Sequence, residues 1–591
     1  MPILTTDVVA LGAVASPALF GGNILAPRGD MTGPGSYDAA INALGITDLR
    51  YPGGSLSEYL FNLRDPDARQ VVDPRDGTTT EFIPLSDVMA YSADTGRAVS
   101  IVIPTRDQLS NTRLDDNGDR MPAIDREVLT GFVRDVVGGV YGDGTVAAFE
   151  IGNEYWGSGE MSAAEYGRLA ADMAQIVDGV LSDMVATHPQ AAQIDVLVQV
   201  GTNFGYSDLA AQYEGMSTAD ILSDLEAAYG IELDQNGASP DWTEINNVIL
   251  TSYFDEDALE ATDGVIAHAY SRAPEVPHSR WFQIEQVEEH WQSIDPSLEI
   301  HVTEWNQKSN TQALEDTTDY GLWQAQEMLE QMEEFLRLGV DAAQVWPLIQ
   351  NTDTALALGR SFDTPTVAGE MFSVMSETLV GMRMLDFTPS ADNRDTEFET
   401  PELDVHAFGN GQDMVVYITS NLRDAATDSV VDISALIAGA GQVDVTVLGV
   451  AEGFAPGNTQ SPALRETPPP EDVYDQGVVD AVLAPGEIMQ LVLRDVTPTT
   501  EFAPTFAATA MAEAAVIPDL PDASAPPDLP DTSMPPPDAA ELPEAQSAEP
   551  DDSAEIDSLT EEAADDDGGG LGGAWLAGLL PLLFLLGCAP L

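Results

Sequence analysis

Two short segments run from an apolar stretch into a glutamate and then into aromatic residues. One is Phe149-Glu150-Ile151-Gly152-Asn153-Glu154-Tyr155-Trp156; the other is Ile300-His301-Val302-Thr303-Glu304-Trp305-Asn306. A pair of carboxyl groups facing one pocket can combine acid–base and nucleophilic work. One group gives a proton to a departing oxygen while the other attacks the carbon that oxygen leaves. Cleaving a glycosidic bond with retention requires the two groups to stand about 5–5.5 Å apart. It also asks for opposite charge states near neutral pH. The acid must keep its proton, which burial or a second carboxylate favours, and the nucleophile must be ionised, which needs donors beside it. Between the two segments, in chain order, lies Ala267-His268-Ala269-Tyr270. Zinc chemistry is not expected: the chain has 6 His and no His-Glu-x-x-His pattern. Asp115-Asp116-Asn117-Gly118-Asp119 lacks the alternating ligand spacing of a calcium loop and reads as a polar turn. No cofactor and no metal are expected.

For the two glutamates to meet, the chain must bring distant segments to one rim. From about residue 16 to 383, strand-like runs alternate with amphipathic helical stretches, the pattern of an α/β domain with a parallel sheet. The strands are expected at Ala18–Ile24, Ile46–Tyr51, Ala98–Pro104, Val146–Ile151, Ile194–Val200, Gly264–Ala269, Glu299–Thr303 and Ala342–Trp346. Helices with apolar residues three and four apart are expected at Ser162–Met184 and Tyr320–Leu338. Eight strands with intervening helices predict a (β/α)₈ TIM barrel, whose active site forms at the C-terminal strand ends. Glu154 then follows strand four and Glu304 ends strand seven. Long loops at Ser55–Pro84, Arg106–Asp125 and Asn203–Asp241 are expected to shape the site.

The pattern resembles the clan of retaining glycoside hydrolases with an Asn-Glu acid/base on strand four and a nucleophilic Glu on strand seven. Leu49-Arg50-Tyr51-Pro52-Gly53-Gly54 and Glu304-Trp305-Asn306 are most similar to the α-L-arabinofuranosidase branch. Heparanase-like β-glucuronidases and β-xylosidases are its competitors. The resemblance implies Glu154 as general acid/base and Glu304 as nucleophile. It implies that Asn153 bonds a sugar 2-hydroxyl, that Tyr270 donates to Glu304, and that Arg50 braces Glu304. It further implies that Gln350 binds substrate and that Trp305 and Trp346 offer ring faces to a sugar. His268 is expected at the same site. Ser55 stands where that branch commonly has Asn after Gly-Gly, which bears on furanoside specificity. The implied substrate is a plant or algal poly- or oligosaccharide. The alternative is a non-catalytic carbohydrate-binding surface protein on a degenerate barrel.

Outside the barrel, residues 1–15 are expected to hold a strand, Val8 to Val14, that can join a second domain. Residues 384–496 are rich in short turn-bounded strands and predict an antiparallel β-sandwich. Asn410-Gly411 marks a hairpin within it. Residues 497–570 are rich in Pro, Ala, Asp and Glu without Lys or Arg, and are expected to be a disordered acidic linker. An apolar tail, 571–591, follows. The order of acidic spacer, glycines and apolar segment is similar to bacterial C-terminal sorting signals, so an extracellular or cell-surface location with possible membrane anchoring is expected. The balance of 100 acidic against 22 basic residues, a net charge of −78, disfavours nucleic acid and suits a salty medium. A single cysteine, Cys588, excludes an internal disulfide.

Overall fold

Eight parallel strands close into a barrel: Gly21–Asn23, Leu49–Tyr51, Val99–Ile103, Val146–Ile151, Asp195–Gln199, Gly264–Ser271, Glu299–Gln307 and Ala342–Val345. They are called barrel strands one to eight. The structure is a computed structural model that describes residues 3–510 apart from 204, 208, 234, 236–237, 310, 350–351, 360 and 391–393. All eight predicted strands are present, in chain order around the ring.

Side-chain alternation explains how these strands serve a barrel. Leu49, Tyr51, Phe149, Ile151, Val265 and Ala267 face outward into the main apolar core shared with the helices. Their neighbours face inward. Ala148, Leu197 and Ile266 form a small apolar layer of their own. Above it, Arg50 and Glu150 meet inside the ring. The helix Ala163–Met184 starts at a capping box, with Ser162 and Glu165 each bonded to the other's backbone. It buries Tyr166, Leu169, Met173 and Val177 against the barrel. The helix Leu322–Arg337 lies between strands seven and eight and buries Met328, Met332 and Phe335.

The second domain consists of antiparallel sheets. The larger sheet runs Val9–Val14, Arg383–Asp386, Leu403–Gly409, Met414–Ser420, Ile488–Arg494, Gln442–Val450 and Ala463–Glu466, with Phe398–Glu399 on its side. The N-terminal strand therefore belongs to this sheet, antiparallel to Arg383–Asp386. Asn410-Gly411 does close a hairpin, with Asn410 Oδ1 accepting from the backbone of Gln412 and Asp413. A smaller sheet pairs Thr427–Asp432 with Val478–Leu483 and completes the core.

One boundary needs correction. The linker expected from residue 497 begins later. Thr497–Pro498 pairs with Ile437–Gly439, and a short helix, Ala503–Ala508, follows. Phe502 and Phe506, one helical turn apart, are buried in the sandwich core. Two phenylalanines suffice to dock a segment whose average composition reads as disordered. The remainder of the acidic linker, to residue 570, and the apolar tail lie outside the described residues. Among the described residues no helix is long and apolar enough to cross a membrane.

Candidate active site

Glu154 follows barrel strand four and Glu304 lies in strand seven, so strands five and six separate them around the ring. Their side chains nevertheless meet. One carboxylate oxygen of each, together with a ring nitrogen of His268, lies within 4.8 Å of the others. So close an approach of single oxygens is compatible with the carboxyl separation of about 5–5.5 Å that retention needs. The side chain of Glu154 is 17% exposed and that of Glu304 6%, so Glu154 is the more open of the two.

The two carboxylates are held differently. Arg50, fully buried, donates from Nη1 to Glu304 Oε1 at 2.7 Å, and Tyr270 Oη donates to Oε2 at 2.7 Å. A charge and a phenol on opposite oxygens stabilise the anion and fix the plane of the carboxylate. Glu154 faces His268 instead, with Nδ1 to Oε1 at 3.1 Å, while Nε2 reaches Thr303 Oγ1 at 3.2 Å. His268 Nδ1 also stands 3.7 Å from Glu304 Oε2. That oxygen thus lies on the Glu154 side, and Arg50 holds the other from the barrel interior.

The backbone around Glu154 is strained. Its φ is 44°, in the left-handed region that non-glycine residues rarely enter. Such a residue costs about 1–3 kcal/mol and persists only where neighbours over-determine it. Here the amide of Asn153 donates to Glu58, that of Tyr155 to Gln199, and that of Gly157 to the Glu154 carbonyl. Gly152, also left-handed at 81°, sits where an added Cβ would come within 2.8 Å of Thr105 Oγ1.

Arg50 is the hub. Nε donates to both oxygens of Glu150, Nη1 also to Asn23 Oδ1, and Nη2 to Asn153 Oδ1 at 2.8 Å. Burial works against its charge, yet Glu150 and Glu304 outweigh it and raise its pKa. Asn153 is thereby oriented with its amide nitrogen toward Ser158 at 3.4 Å, a long contact that leaves donor capacity. The Gly53-Gly54 turn after strand two lies against Trp346, and a Cβ on Gly54 would come within 2.4 Å of that ring. Trp346 is half-buried, and Ser55 is half-buried at the start of the helix Leu56–Leu60.

Trp305 departs from the expectation. It is fully buried and faces the helices, its ring 5.2 Å from that of Phe335 and 6.0 Å from that of Phe372. The cause is a β-bulge. Strand six pairs Ala267 with Val302 but His268 with Glu304, leaving Thr303 as the extra residue. From there on the alternation of strand seven inverts, so Glu304 points inward and Trp305 outward. Strand seven also continues to Gln307 instead of ending at Thr303. Gln350 lies outside the described residues.

Glu150, Asn23 and Glu58 had no role in the sequence reading. Glu150 and Arg50 each interrupt an apolar strand with a charge, and a buried charge demands a partner; that was a usable signal. Glu58 had none. Its buried carboxylate accepts from the amides of Thr105, Arg106 and Asn153, joining the loops after strands three and four. Burial raises its pKa against those lowering hydrogen bonds.

No protein-family model and no curated protein matches the sequence. Solved structures do match. One is the family 51 α-L-arabinofuranosidase of Bifidobacterium longum, with a TM-score of 0.52 and 15% identity over 84% of this chain and 100% of that one. Another, the family 51 arabinofuranosidase of Xanthomonas axonopodis pv. citri, gives 0.50 and 15% over 82% and 98%. The Thermotoga maritima α-L-arabinofuranosidase in its arabinose complex gives 0.52 and 13% over 83% and 99%. The chain shares the fold of these glycoside hydrolases. At such identity the likeness is one of fold, and the chemistry must be argued from the site.

Proposed function

We propose that the chain is a retaining glycoside hydrolase of α-L-arabinofuranosidase type, acting on a plant or algal poly- or oligosaccharide by double displacement. The observation that carries this reading is the pair Glu154 and Glu304, with oxygens within 4.8 Å and unlike surroundings. Glu304, hydrogen-bonded on its two oxygens by Arg50 and Tyr270, attacks the anomeric carbon through Oε2. The glycosidic C–O bond breaks, and the leaving oxygen takes the proton of Glu154. Water then attacks the same carbon, gives its proton to Glu154, and the ester to Glu304 breaks. In this reading Asn153, whose Oδ1 accepts from Arg50, bonds the sugar 2-hydroxyl. Trp346 offers a ring face at the rim, and Ser55 and His268 complete the contacts. The acidic stretch and apolar tail favour work outside the cell or at its surface; protease shaving of intact cells should then release the enzyme.

The test is a panel of aryl glycosides and polymers with product stereochemistry followed by NMR. Glu304→Ala should abolish turnover. Glu154→Ala should lose it on poor leaving groups and recover with azide on an activated aryl glycoside, giving the glycosyl azide. Wild-type turnover in both variants, or an inverted product, refutes the reading. Glycan binding without hydrolysis of any panel member would favour a binding protein.

A further inference from the structure

A second cluster of ionisable groups lies where the helix Leu322–Arg337 meets the large sandwich sheet. His406, fully buried on the strand Leu403–Gly409, directs Nδ1 at the carboxylate of Glu333, 3.1 and 3.2 Å from its two oxygens. Its other nitrogen, Nε2, faces Glu330 Oε1 at 4.0 Å, too far for a hydrogen bond. Glu397, just before the strand Phe398–Glu399, closes the third side. One oxygen of Glu330, one of Glu397 and a nitrogen of His406 lie within 4.8 Å of one another. Glu397 is only 9% exposed, and its Oε2 is buried without a hydrogen-bond partner. Along the helix, Glu327 pairs with Arg280 and Glu334 with Arg394, and Glu330 pairs its Oε2 with Arg280 at 3.3 Å, so that Oε1 is the oxygen turned to His406.

We propose that Glu330, Glu397 and His406 bind a divalent cation of the zinc type, which clamps the barrel helix to the sandwich. One imidazole nitrogen and two carboxylate oxygens form a donor set suited to zinc, with water as the fourth ligand. Ligand atoms about 2.0–2.2 Å from a tetrahedral ion stand roughly 3.4 Å apart. The His406–Glu330 separation is 4.0 Å and no other exceeds 4.8 Å, so side-chain adjustments of about 1 Å would close the site. The histidine has the arrangement a metal ligand needs, one ring nitrogen donating to a carboxylate and the other left to face the ion. A proton on Nε2 is the rival occupant. It would leave the 4.0 Å gap to Glu330 unbridged and the Glu397 oxygen still without a partner. Glu330, with its side chain 20% exposed, offers an entry path.

The full-length chain, stripped with EDTA and dialysed at pH 7.5, is incubated with Zn²⁺, desalted and analysed for metal; its Tm is followed as Zn²⁺ is added. One equivalent per chain is expected, with a Tm rise of about 3 °C at a hundredfold excess over Kd. Glu397→Gln, which keeps the shape of the side chain, should abolish both. So should His406→Gln, and if that variant fails to fold, Glu397→Gln alone carries the test. Glu154→Gln and His301→Asn, at the two other groups of His and acids among the described residues that could hold an ion, should retain both. Less than a tenth of an equivalent in the wild type, or a Tm rise that survives Glu397→Gln, overturns the proposal.

Discussion

Replacing Arg50 by Met tests whether the interior of the barrel is built around one charge. The guanidinium is fully buried, its partner Glu150 is fully buried, and Glu304 is nearly so. Removing the cation leaves two carboxylates without their counter-charge. Breaking a buried pair from one side costs about 3–5 kcal/mol. With an unfolding entropy near 2.1 cal/mol/K per residue, a folded part of roughly 500 residues loses about 1 kcal/mol per degree. Tm should therefore fall by about 3–5 °C. The double variant Arg50→Met/Glu150→Gln removes one of the stranded charges and should regain roughly half of that loss. Activity should not follow. Glu304 still lacks a charge-assisted hydrogen bond, worth about 1.5–3 kcal/mol, so kcat/KM stays about 10- to 150-fold down in both variants. Calorimetry and initial rates on the best aryl glycoside measure the two effects separately. A single variant that melts with the wild type, or a double variant no more stable than the single, would refute the argument that Glu150 is stabilised through Arg50. A double variant with full activity would refute the bracing of Glu304.

The two tryptophans should separate cleanly. Trp305→Ala opens a cavity under Phe335 and Phe372 and should cost about 3–5 kcal/mol with KM unchanged; a raised KM at wild-type stability would sink the packing role. Trp346→Ala should do the reverse, raising KM about tenfold with little change in Tm, and an unchanged KM would remove it from the rim. At the start of strand five, burial, then repulsion from Glu299, pushes Asp195 up to about 6. A carboxyl with a folded pKa above its unfolded value near 3.9 contributes stability below pH of about 4 that is lost as pH rises through about 6. Asp195→Asn should thus raise Tm more at pH 7.5 than at pH 4, as scanning fluorimetry can show; an equal shift at both refutes it. With a net charge of −78, Tm should also rise between 0.1 and 2 M NaCl as self-repulsion is screened, and a flat or falling curve would contradict that reading.

The barrel was legible because strand-like apolar runs alternate with amphipathic helical stretches, and some of the strands show two faces. Leu49-Arg50-Tyr51 and Phe149-Glu150-Ile151 flank one charge with apolar residues, which suits a strand packed outward on helices and inward on a polar ring. The glutamates stood out for their position after such runs. Glu58 was invisible, because a carboxylate on a five-residue helix looks exposed until the loops it ties are in place. The docking of Phe502 and Phe506 was hidden for a related reason: composition averaged over 497–570 dilutes two residues that act locally.

Strand seven holds the sharper lesson. The sequence reading placed both Glu304 and Trp305 at the pocket, although successive residues of a strand face opposite sides. Unbroken alternation from Ile300 and Val302 would have sent Glu304 to the helix layer and Trp305 inward. A carboxylate among Phe335, Phe372 and their neighbours would be buried without a counter-charge, at a cost of several kcal/mol. A tryptophan there buries about 150–250 Å² of largely apolar surface and gains by it. Both preferences push the same way, and only an inserted residue can satisfy them together. Thr303 is that residue, and its hydroxyl contacts His268 Nε2 at 3.2 Å, so the backbone irregularity is itself joined to the site. The bulge thus settles which of two adjacent functional-looking residues faces the barrel interior, a choice that residue type and spacing alone leave open.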